Sequence, residues 1–242
     1  MTAEHNSIPP LVGGHPVLDL VNTVEPRAAV ADRMERLSQP ADLLAWALRA
    51  GVIDAAEADA VRAAWDASPV SATQALAAAI ELREAAYTLL APHAEHYVPT
   101  EDRNTCLALE VLALRRAAAA ARTELVLNKA EPVPNQADPV LNKAEPGPSK
   151  ADRRAARLMV GTMPAMMIPD RLATAAVELI CGADLSNLRA CPLDEGGCGW
   201  LFFDRSRNRS RRWCVMADCG AQVKAKRLTE RRRTQRATAV SD

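Results

Sequence analysis

The sequence is poor in aromatic residues and lacks any long apolar run. Phe, Tyr and Trp make up only 3% of its 242 residues, although 49% are hydrophobic. The core must therefore be built mainly from Leu, Val, Ile and Ala, a composition that favours helices. No stretch approaches the roughly 18 uninterrupted apolar residues that a membrane span needs, and residues 1–10 hold no basic segment followed by an apolar run. We expect a mainly α protein of the cytoplasm that does not enter the membrane.

The signatures of common enzyme classes are missing as well. The sequence contains no Gly-rich phosphate loop, no Gly-x-Ser-x-Gly elbow and no His-Glu-x-x-His pair. His15 lies in a Gly-Gly-His-Pro turn, and His93 and His96 follow Pro92 with no cysteine near them. These positions are typical of structural or solvent-exposed histidines. We therefore expect no enzymatic activity.

Charge is unevenly distributed along the chain, although the formal net charge is zero. Residues 189–236 hold 13 Lys and Arg against 5 Asp and Glu, whereas residues 1–188 hold 17 against 24. A basic end on an acidic body indicates a polyanionic partner.

Apolar residues recur at three- and four-residue spacing through the first half of the chain. Leu43, Leu44 and Leu48 share one helical face, and Gly51 can end that helix. Further along, pairs of polar residues three apart resemble helix caps. The pattern predicts helices over 40–50, from Asp54 to about Trp65, from a cap at Ser71 to before Pro92, after Thr100, and from Pro169 to Gly182.

Residues 125–150 break this pattern. The segment 127–132 (LNKAEP) recurs 14 residues later as 141–146, with further prolines between and after the copies. Each proline removes a backbone donor and disfavours helix at the residue before it. Since two copies are too few for a solenoid, we predict an extended, mobile insertion.

Four of the six cysteines fall within 29 residues. In a reducing compartment such a cluster indicates metal ligands rather than disulfides. Four thiolates suit tetrahedral zinc and leave no open position for a catalytic water, so we predict one structural Zn²⁺. The alternative is four buried cysteines without a metal. Cys106 and Cys181 are predicted to be small buried residues. The zinc ligands are predicted to be Cys191, Cys198, Cys214 and Cys219, with intervals of 6, 15 and 4 residues.

The segment between the ligand pairs predicts a zinc-clasped hairpin. Residues 200–203 are aromatic and strand-forming, and Arg212-Trp213 could lead back along a second strand. Cys219 then stands at the start of a helix predicted over 221–236, where free backbone N–H groups favour its thiolate. So small a module needs the metal for much of its folding free energy.

Cations crowd the predicted hairpin turn and the helix after it. Their density can neutralise several phosphates, and a helix that leaves a zinc site can enter the major groove, where Gln222 would contact adenine. The alternatives are a solvated basic tail or pairing with the acidic body of the same chain. The predicted nucleic-acid-binding residues are Arg205, Arg207, Arg209, Arg211, Arg212, Gln222, Lys224, Lys226, Arg227 and Arg231.

Two parts of the chain resemble known families. The C-terminal part resembles the CGNR zinc finger. The residues that carry this resemblance are Cys198-Gly199-Trp200-Leu201-Phe202, Asp204, residues 206–214, Met216-Ala217 and Cys219-Gly220. The front of the chain resembles the ABATE domain, which usually precedes that finger and is named as a stress-induced transcription regulator. The residues that carry this resemblance are residues 18–23, Asp42-Leu43-Leu44 with Trp46, and residues 82–85.

The resemblance implies a helical domain with a small strand component, followed by a finger that binds DNA. Two features depart from the finger family. Ala221 and Gln222 stand where the name-giving motif has Asn-Arg after Cys-Gly, which removes two hydrogen-bonding groups. Residues 195–197 lengthen the loop between the first two ligands.

The predicted fold class is mainly α with a small β component. We predict an ABATE-like helical domain over 1–186 with an insertion at about 125–150, a CGNR-like finger over 187–236 and a tail over 237–242. The predicted function is zinc-dependent DNA binding by a transcriptional regulator whose front domain senses a small-molecule effector or forms a homodimer. The alternative is a zinc-stabilised protein- or RNA-interaction module without sequence-specific DNA readout. Asn22 and Thr23 either cap a helix or line a ligand pocket.

Overall fold

The computed structural model describes residues 9–27, 33–99, 102–127, 156–226 and 228–229. The described elements are mostly helices, joined by three short antiparallel strand pairs, so the predicted fold class is confirmed. None of the described helices is long and apolar enough to cross a bilayer. In chain order the elements are α1 Pro16–Val21, β1 Val24–Glu25, β2 Met34–Glu35, α2 Pro40–Arg49, α3 Ala55–Ala67, α4 Pro69–Leu90, α5 Thr105–Ala121, β3 Thr123–Leu127, β4 Ala156–Val160, α6 Met167–Gly182, β5 Leu188–Ala190 and β6 Leu201–Phe203.

Local signals set most of the helix boundaries. Gly51 follows the end of α2 with a φ of +69°, a conformation that favours glycine. Asp54 and Glu57 form the predicted capping box at the start of α3. The prediction that Ser71 caps α4 was wrong. Ser68 is the cap and its hydroxyl accepts the Ser71 N–H, because Pro69 is well suited to the first helical position.

Helix α4 lies at the centre of the bundle, where it contacts α1, α2, α3, α5 and α6. The buried alanines of α4 include Ala75, Ala79 and Ala86, which lie on one face of the helix. These small side chains let neighbouring helices approach closely, and Leu and Trp side chains from those helices fill the remaining space. The largest fully buried apolar side chains include Leu18, Leu43, Trp46, Leu82, Leu90, Ile168 and Leu172.

A two-stranded ribbon of β3 and β4 continues directly from α5. Its register pairs Thr123 with Val160 and Leu127 with Ala156. The predicted insertion therefore begins in a strand at residues 125–127. The remainder of that prediction, residues 128–150, lies outside the described residues.

The strand pair β5–β6 joins the end of the chain to the helical bundle. Leu188, Ala190 and Leu201 belong to the same buried cluster as the helices. The hairpin prediction was right about the strand at 200–203 but wrong about its partner, which is β5 rather than Arg212-Trp213. Asp204 accepts the N–H groups of Ser206 and Arg211, which turns the chain away from β6.

Candidate metal centre

Four cysteine sulfurs converge at the end of the β5–β6 hairpin. The Sγ atoms of Cys191, Cys198, Cys214 and Cys219 all lie within 4.8 Å of one another, and all four residues are buried. The Sγ atoms of Cys198 and Cys214 are 3.3 Å apart, and those of Cys214 and Cys219 are 3.6 Å apart. Four sulfurs bound tetrahedrally at about 2.3 Å from zinc are roughly 3.8 Å apart. The cluster therefore has the size of a zinc site.

The first ligand pair is held by a tight loop between the two strands. The Cys191 N–H donates to the Trp200 carbonyl at 2.8 Å, and the Gly199 N–H donates to the Cys191 carbonyl at 3.0 Å. A Cβ at Gly197 would lie 2.7 Å from the Cys191 sulfur and 2.7 Å from the Pro192 carbonyl oxygen. Only glycine fits there, because any side chain at this position would collide with the Cys191 sulfur and the Pro192 carbonyl.

The second ligand pair comes from the segment after the basic turn. Cys219 lies in a π-helical turn, Met216–Gly220, and an α-helix follows over 221–226. The sequence placed Cys219 at the start of a helix over 221–236. The π-helical turn was missed, and residues 230–236 lie outside the described residues.

Four thiols this close together interact strongly with one another, and a cation would relieve that interaction. Hydrogen bonding to the Cys191 sulfur raises the pKa of Cys198 and of Cys214, while hydrogen bonds from Cys198 and Cys214 lower the pKa of Cys191. Ionising one thiol therefore opposes the ionisation of its neighbours. A divalent cation removes this conflict because it stabilises all the thiolates at once.

The donor set fits one structural zinc ion. Four sulfurs complete a tetrahedral shell, and no position remains for a water or a substrate. The part of the chain that the structure describes contains no other group of three or more Cys, His, Asp and Glu side chains placed to hold a metal. When bound, the ion joins the hairpin loop to the segment 214–219.

Arg211 contributes to the packing of this site rather than to the outer surface. Its guanidinium donates to the carbonyls of Trp213 and Cys214 and lies 4.3 Å from the centre of the Phe202 ring. The structure thus gives this predicted phosphate ligand a structural position. Arg212, also predicted to bind phosphate, is exposed and forms an ion pair with Glu195.

Other predicted nucleic-acid contacts lie at the surface. Arg205, Arg207 and Arg209 are exposed in one turn, and Arg205 donates to the Gly14 carbonyl at 2.8 Å. The following helix exposes Gln222, Lys224 and Lys226. Arg227 and Arg231 lie outside the described residues.

The structure uses Asn22 to attach the finger to the helices. Its side-chain amide donates to the Leu201 carbonyl and accepts the Leu201 N–H, both at 2.9 Å, in a fully buried position. Thr23 donates to the Leu20 carbonyl and accepts a hydrogen bond from Arg83. The ligand-pocket role of this pair stays a prediction. An open groove elsewhere, between β4, α6 and the start of α3, contains neither residue.

Arg27 makes a second attachment that the sequence analysis missed. Its backbone N–H donates to the Cys198 carbonyl at 2.8 Å. Its guanidinium is fully buried, pairs with Glu84 at 2.9 Å and lies 4.4 Å from the centre of the Tyr87 ring. Burial lowers the pKa of Arg27 to about 10, so the group remains charged at neutral pH. An arginine after Pro26 gave no signal of this role because its partners are distant in sequence.

The other two cysteines lie apart from the metal centre. Cys106 and Cys181 are both exposed, so the prediction that they are buried was wrong. Each belongs to an apolar helical segment, but its position on the helix points it away from the core.

Two family models match the chain. The CGNR zinc finger matches residues 187–232, which contain all four clustered cysteines. The ABATE model, described as "Putative stress-induced transcription regulator", matches residues 14–183, more than half of the chain. Both are regulator or zinc-finger families rather than enzyme families. No curated protein matches the sequence.

Proposed function

The chain belongs to the ABATE family and carries a CGNR zinc finger, and from that premise we propose that it is a zinc-dependent DNA-binding regulator of transcription. The observation that carries the proposal is a cationic turn, exposed and fixed beside the zinc site. Arg205, Arg207 and Arg209 occupy this turn. Asp204 holds it by accepting two backbone N–H groups from the turn region. Phosphates are the chemical groups that such a surface recognises best.

The free cations of the finger support a polyanionic partner over internal pairing. Arg207, Lys224 and Lys226 form no ion pair within the part of the chain that the structure describes. Arg212 pairs with Glu195, which also belongs to the finger. Arg189 of the finger does pair with Glu95 of the front domain at 2.8 Å, but Arg207, Lys224 and Lys226 remain available to a polyanionic partner.

Sequence readout is assigned to the helix that follows Cys219. Gln222 is exposed in its first turn, and a glutamine there can make a bidentate contact with adenine in the major groove. Lys224 and Lys226, exposed on the same helix, would contact the flanking phosphates. The front domain then supplies sensing of an effector or dimerisation. Four reduced cysteines suit a protein that works in the cytoplasm.

A salt titration tests the phosphate contact directly. We expect the zinc-loaded protein to bind duplex DNA with an affinity that falls steeply as salt rises. The variant Arg207→Gln should lower the slope of log K against log salt by about 0.9, the loss of one phosphate contact. Arg62→Gln removes the same charge from the exposed face of α3 and should leave both affinity and slope unchanged. Equal slopes for wild type and Arg207→Gln would refute this contact.

One observation favours the second candidate, a zinc-stabilised module that binds protein or RNA. Ala221 occupies a position where the finger family has an asparagine, so a polar group is missing from the start of the helix. Selection from mixed duplex fragments separates the candidates. A regulator should enrich particular sequences, and Gln222→Ala should reduce that enrichment while leaving the salt dependence intact. Binding without any preference among duplexes would favour the interaction module.

A further inference from the structure

Exposed apolar side chains are concentrated in one part of the molecule. Of the fourteen large apolar side chains exposed in the described residues, eight lie between residues 107 and 163. The other six are scattered over the chain, as is normal for a soluble protein. The eight are Leu107, Leu109, Leu114, Leu125, Leu127, Leu158, Met159 and Met163.

The outer face of α5 has the pattern of a helix interface. With 100° between successive residues, Ala113, Ala117 and Ala120 fall at its centre. Leu109 flanks them on one side and Leu114 on the other, 52% and 67% exposed. Two charged residues share this face: the exposed Glu110 lies between Ala117 and Leu114, and the partly exposed Arg116 lies next to Leu109. Such a face is unusual for a solvated helix, which normally exposes charged or polar side chains.

The ribbon that continues from α5 has an apolar face as well. The register places Leu125 opposite Leu158, with Leu127 two residues further along the same face. These three side chains are 70%, 67% and 77% exposed. A two-stranded ribbon is only marginally stable in water unless one of its faces is packed. The ribbon therefore needs a cover.

The remaining chain holds too little apolar material to supply that cover. The segments outside the described residues contain only seven large apolar side chains, divided among four separate stretches. Residues 128–155, which lie between β3 and β4 in the sequence, contribute three of these seven side chains. The seven are Met1, Ile8, Val30, Val133, Val140, Leu141 and Val240.

We propose that a second copy of this chain packs on the outer face of α5 and on the apolar face of the β3–β4 ribbon. A two-fold axis lets the same surface cover itself, and the central alanines allow two α5 backbones to approach closely. One Glu and one Arg leave the outer face of α5 without net charge, which disfavours a polyanionic or strongly basic partner. The six leucines of α5 and the ribbon offer on the order of 400 Å² per copy, about half of a standard interface before alanines and methionines are counted.

Pairing also increases affinity for DNA, and this step alone rests on the proposed function. Two linked fingers convert the second DNA contact into an intramolecular event. The proposal gives the predicted homodimer a specific surface.

Sedimentation equilibrium of the full-length, zinc-loaded protein tests the pairing. We expect a dimer at micromolar concentration and a dimer dissociation constant weakened about 100-fold or more by Leu114→Glu and by Leu125→Glu, since each places a charge in the contact. Ala117→Gln adds bulk without charge to the centre of α5 and should weaken pairing in the same direction. Val70→Glu, at a 68% exposed position on α4, should leave the dimer intact.

Circular dichroism and zinc content establish that each variant is folded. A wild-type protein that stays monomeric at about 100 µM, or folded Leu114→Glu, Leu125→Glu and Ala117→Gln variants that remain fully dimeric, would overturn the proposal. Because no DNA is present, a monomeric result leaves DNA binding untouched. Loss of DNA binding in a protein that is still dimeric would contradict the proposed function instead.

Discussion

The helical bundle and the finger are stabilised in different ways. The bundle buries Leu43, Trp46 and Leu82 among many other apolar side chains. The buried cluster of the finger consists of the four cysteines with Trp200 and Phe202. Apolar burial can hold the first region together, whereas the second has too little of it and depends on a metal. We therefore expect the bundle to withstand the truncation of one apolar side chain and the finger to unfold when it loses one ligand.

The two regions nevertheless share the hairpin. Successive side chains of a strand point to opposite faces. Leu201 belongs to the buried cluster of the bundle, and its neighbour Phe202 belongs to that of the finger. A substitution on one face of β6 should therefore also change the stability of the region packed on its other face. The following predictions test how far the contrast between the regions extends.

The largest effect is expected from Cys198→Ser. Loss of one thiolate should abolish tight zinc binding and unfold the finger, because structural zinc supplies on the order of 10 kcal/mol. The bundle should lose stability too, since the hairpin contributes Leu188 and Leu201 to its core. Zinc content by mass spectrometry and thermal unfolding followed by circular dichroism check both points. Cys181→Ser, at an exposed cysteine, should match wild type. An unchanged bundle melting temperature in Cys198→Ser would show that the two regions are independent.

A smaller and more local effect is expected from Leu43→Ala. This side chain is completely buried, and truncating it should lower the free energy of unfolding by about 2–5 kcal/mol while the zinc content stays at one ion. Leu48→Ala, on the same helix but 43% exposed, should cost less than about 1 kcal/mol. Chemical denaturation with a parallel zinc assay distinguishes the two. Loss of zinc from a folded Leu43→Ala variant would contradict the conclusion that the two regions are stabilised in different ways.

The contact between the regions is tested by Asn22→Ala. The substitution leaves the buried N–H and carbonyl of Leu201 without their partners, at a cost of about 2–4 kcal/mol. We expect two unfolding transitions, one in which zinc is released and a second in which the helical signal is lost. Asn208→Ala, in the exposed turn, is the matched control and should behave like wild type. A single transition at the wild-type midpoint would mean that this contact does not couple the regions.

The smallest effect concerns Glu57 within the bundle. A hydrogen bond from Arg171 lowers the pKa of Glu57 below its usual value of 4.5. The carboxylate therefore stabilises the fold above about pH 4.5, and this contribution disappears as the pH falls through the lowered pKa. Glu57→Gln should cost about 1 kcal/mol at pH 7, with a difference from wild type that shrinks below pH 4.5.

Urea unfolding between pH 3 and pH 7 measures this difference. Asp66→Asn, on the same helix at an exposed position, serves as the control. A difference between wild type and Glu57→Gln that does not vary with pH would contradict the assignment.

Local signals made part of this structure predictable. The Asp54 capping box depends on residues three apart, and the sequence located it correctly. The four cysteines were recognised because four of the six fall within 29 residues, and metal ligation brings such a cluster together. The cap of α4 was misplaced by three residues because two serines compete there and only the position of Pro69 decides between them.

Long-range contacts were not predictable in the same way. The partner of β6 follows from the closure of the Cys191–Cys198 loop. The inward orientation of Arg211 follows from the position of the Phe202 ring. The basic residues of the finger all contribute similarly to its net charge, and composition cannot separate a structural arginine from an exposed one.

The sequence by itself determined the helical class, the zinc ligands and the basic character of the finger, because each depends on residue type and on short intervals. Only the tertiary structure decided that Asn22 and Arg27 hold the finger against the bundle. It also left the leucines of α5 and the ribbon uncovered. The physical reason is that burial and hydrogen bonding join residues far apart in the chain, and their value depends on a geometry that no local pattern contains.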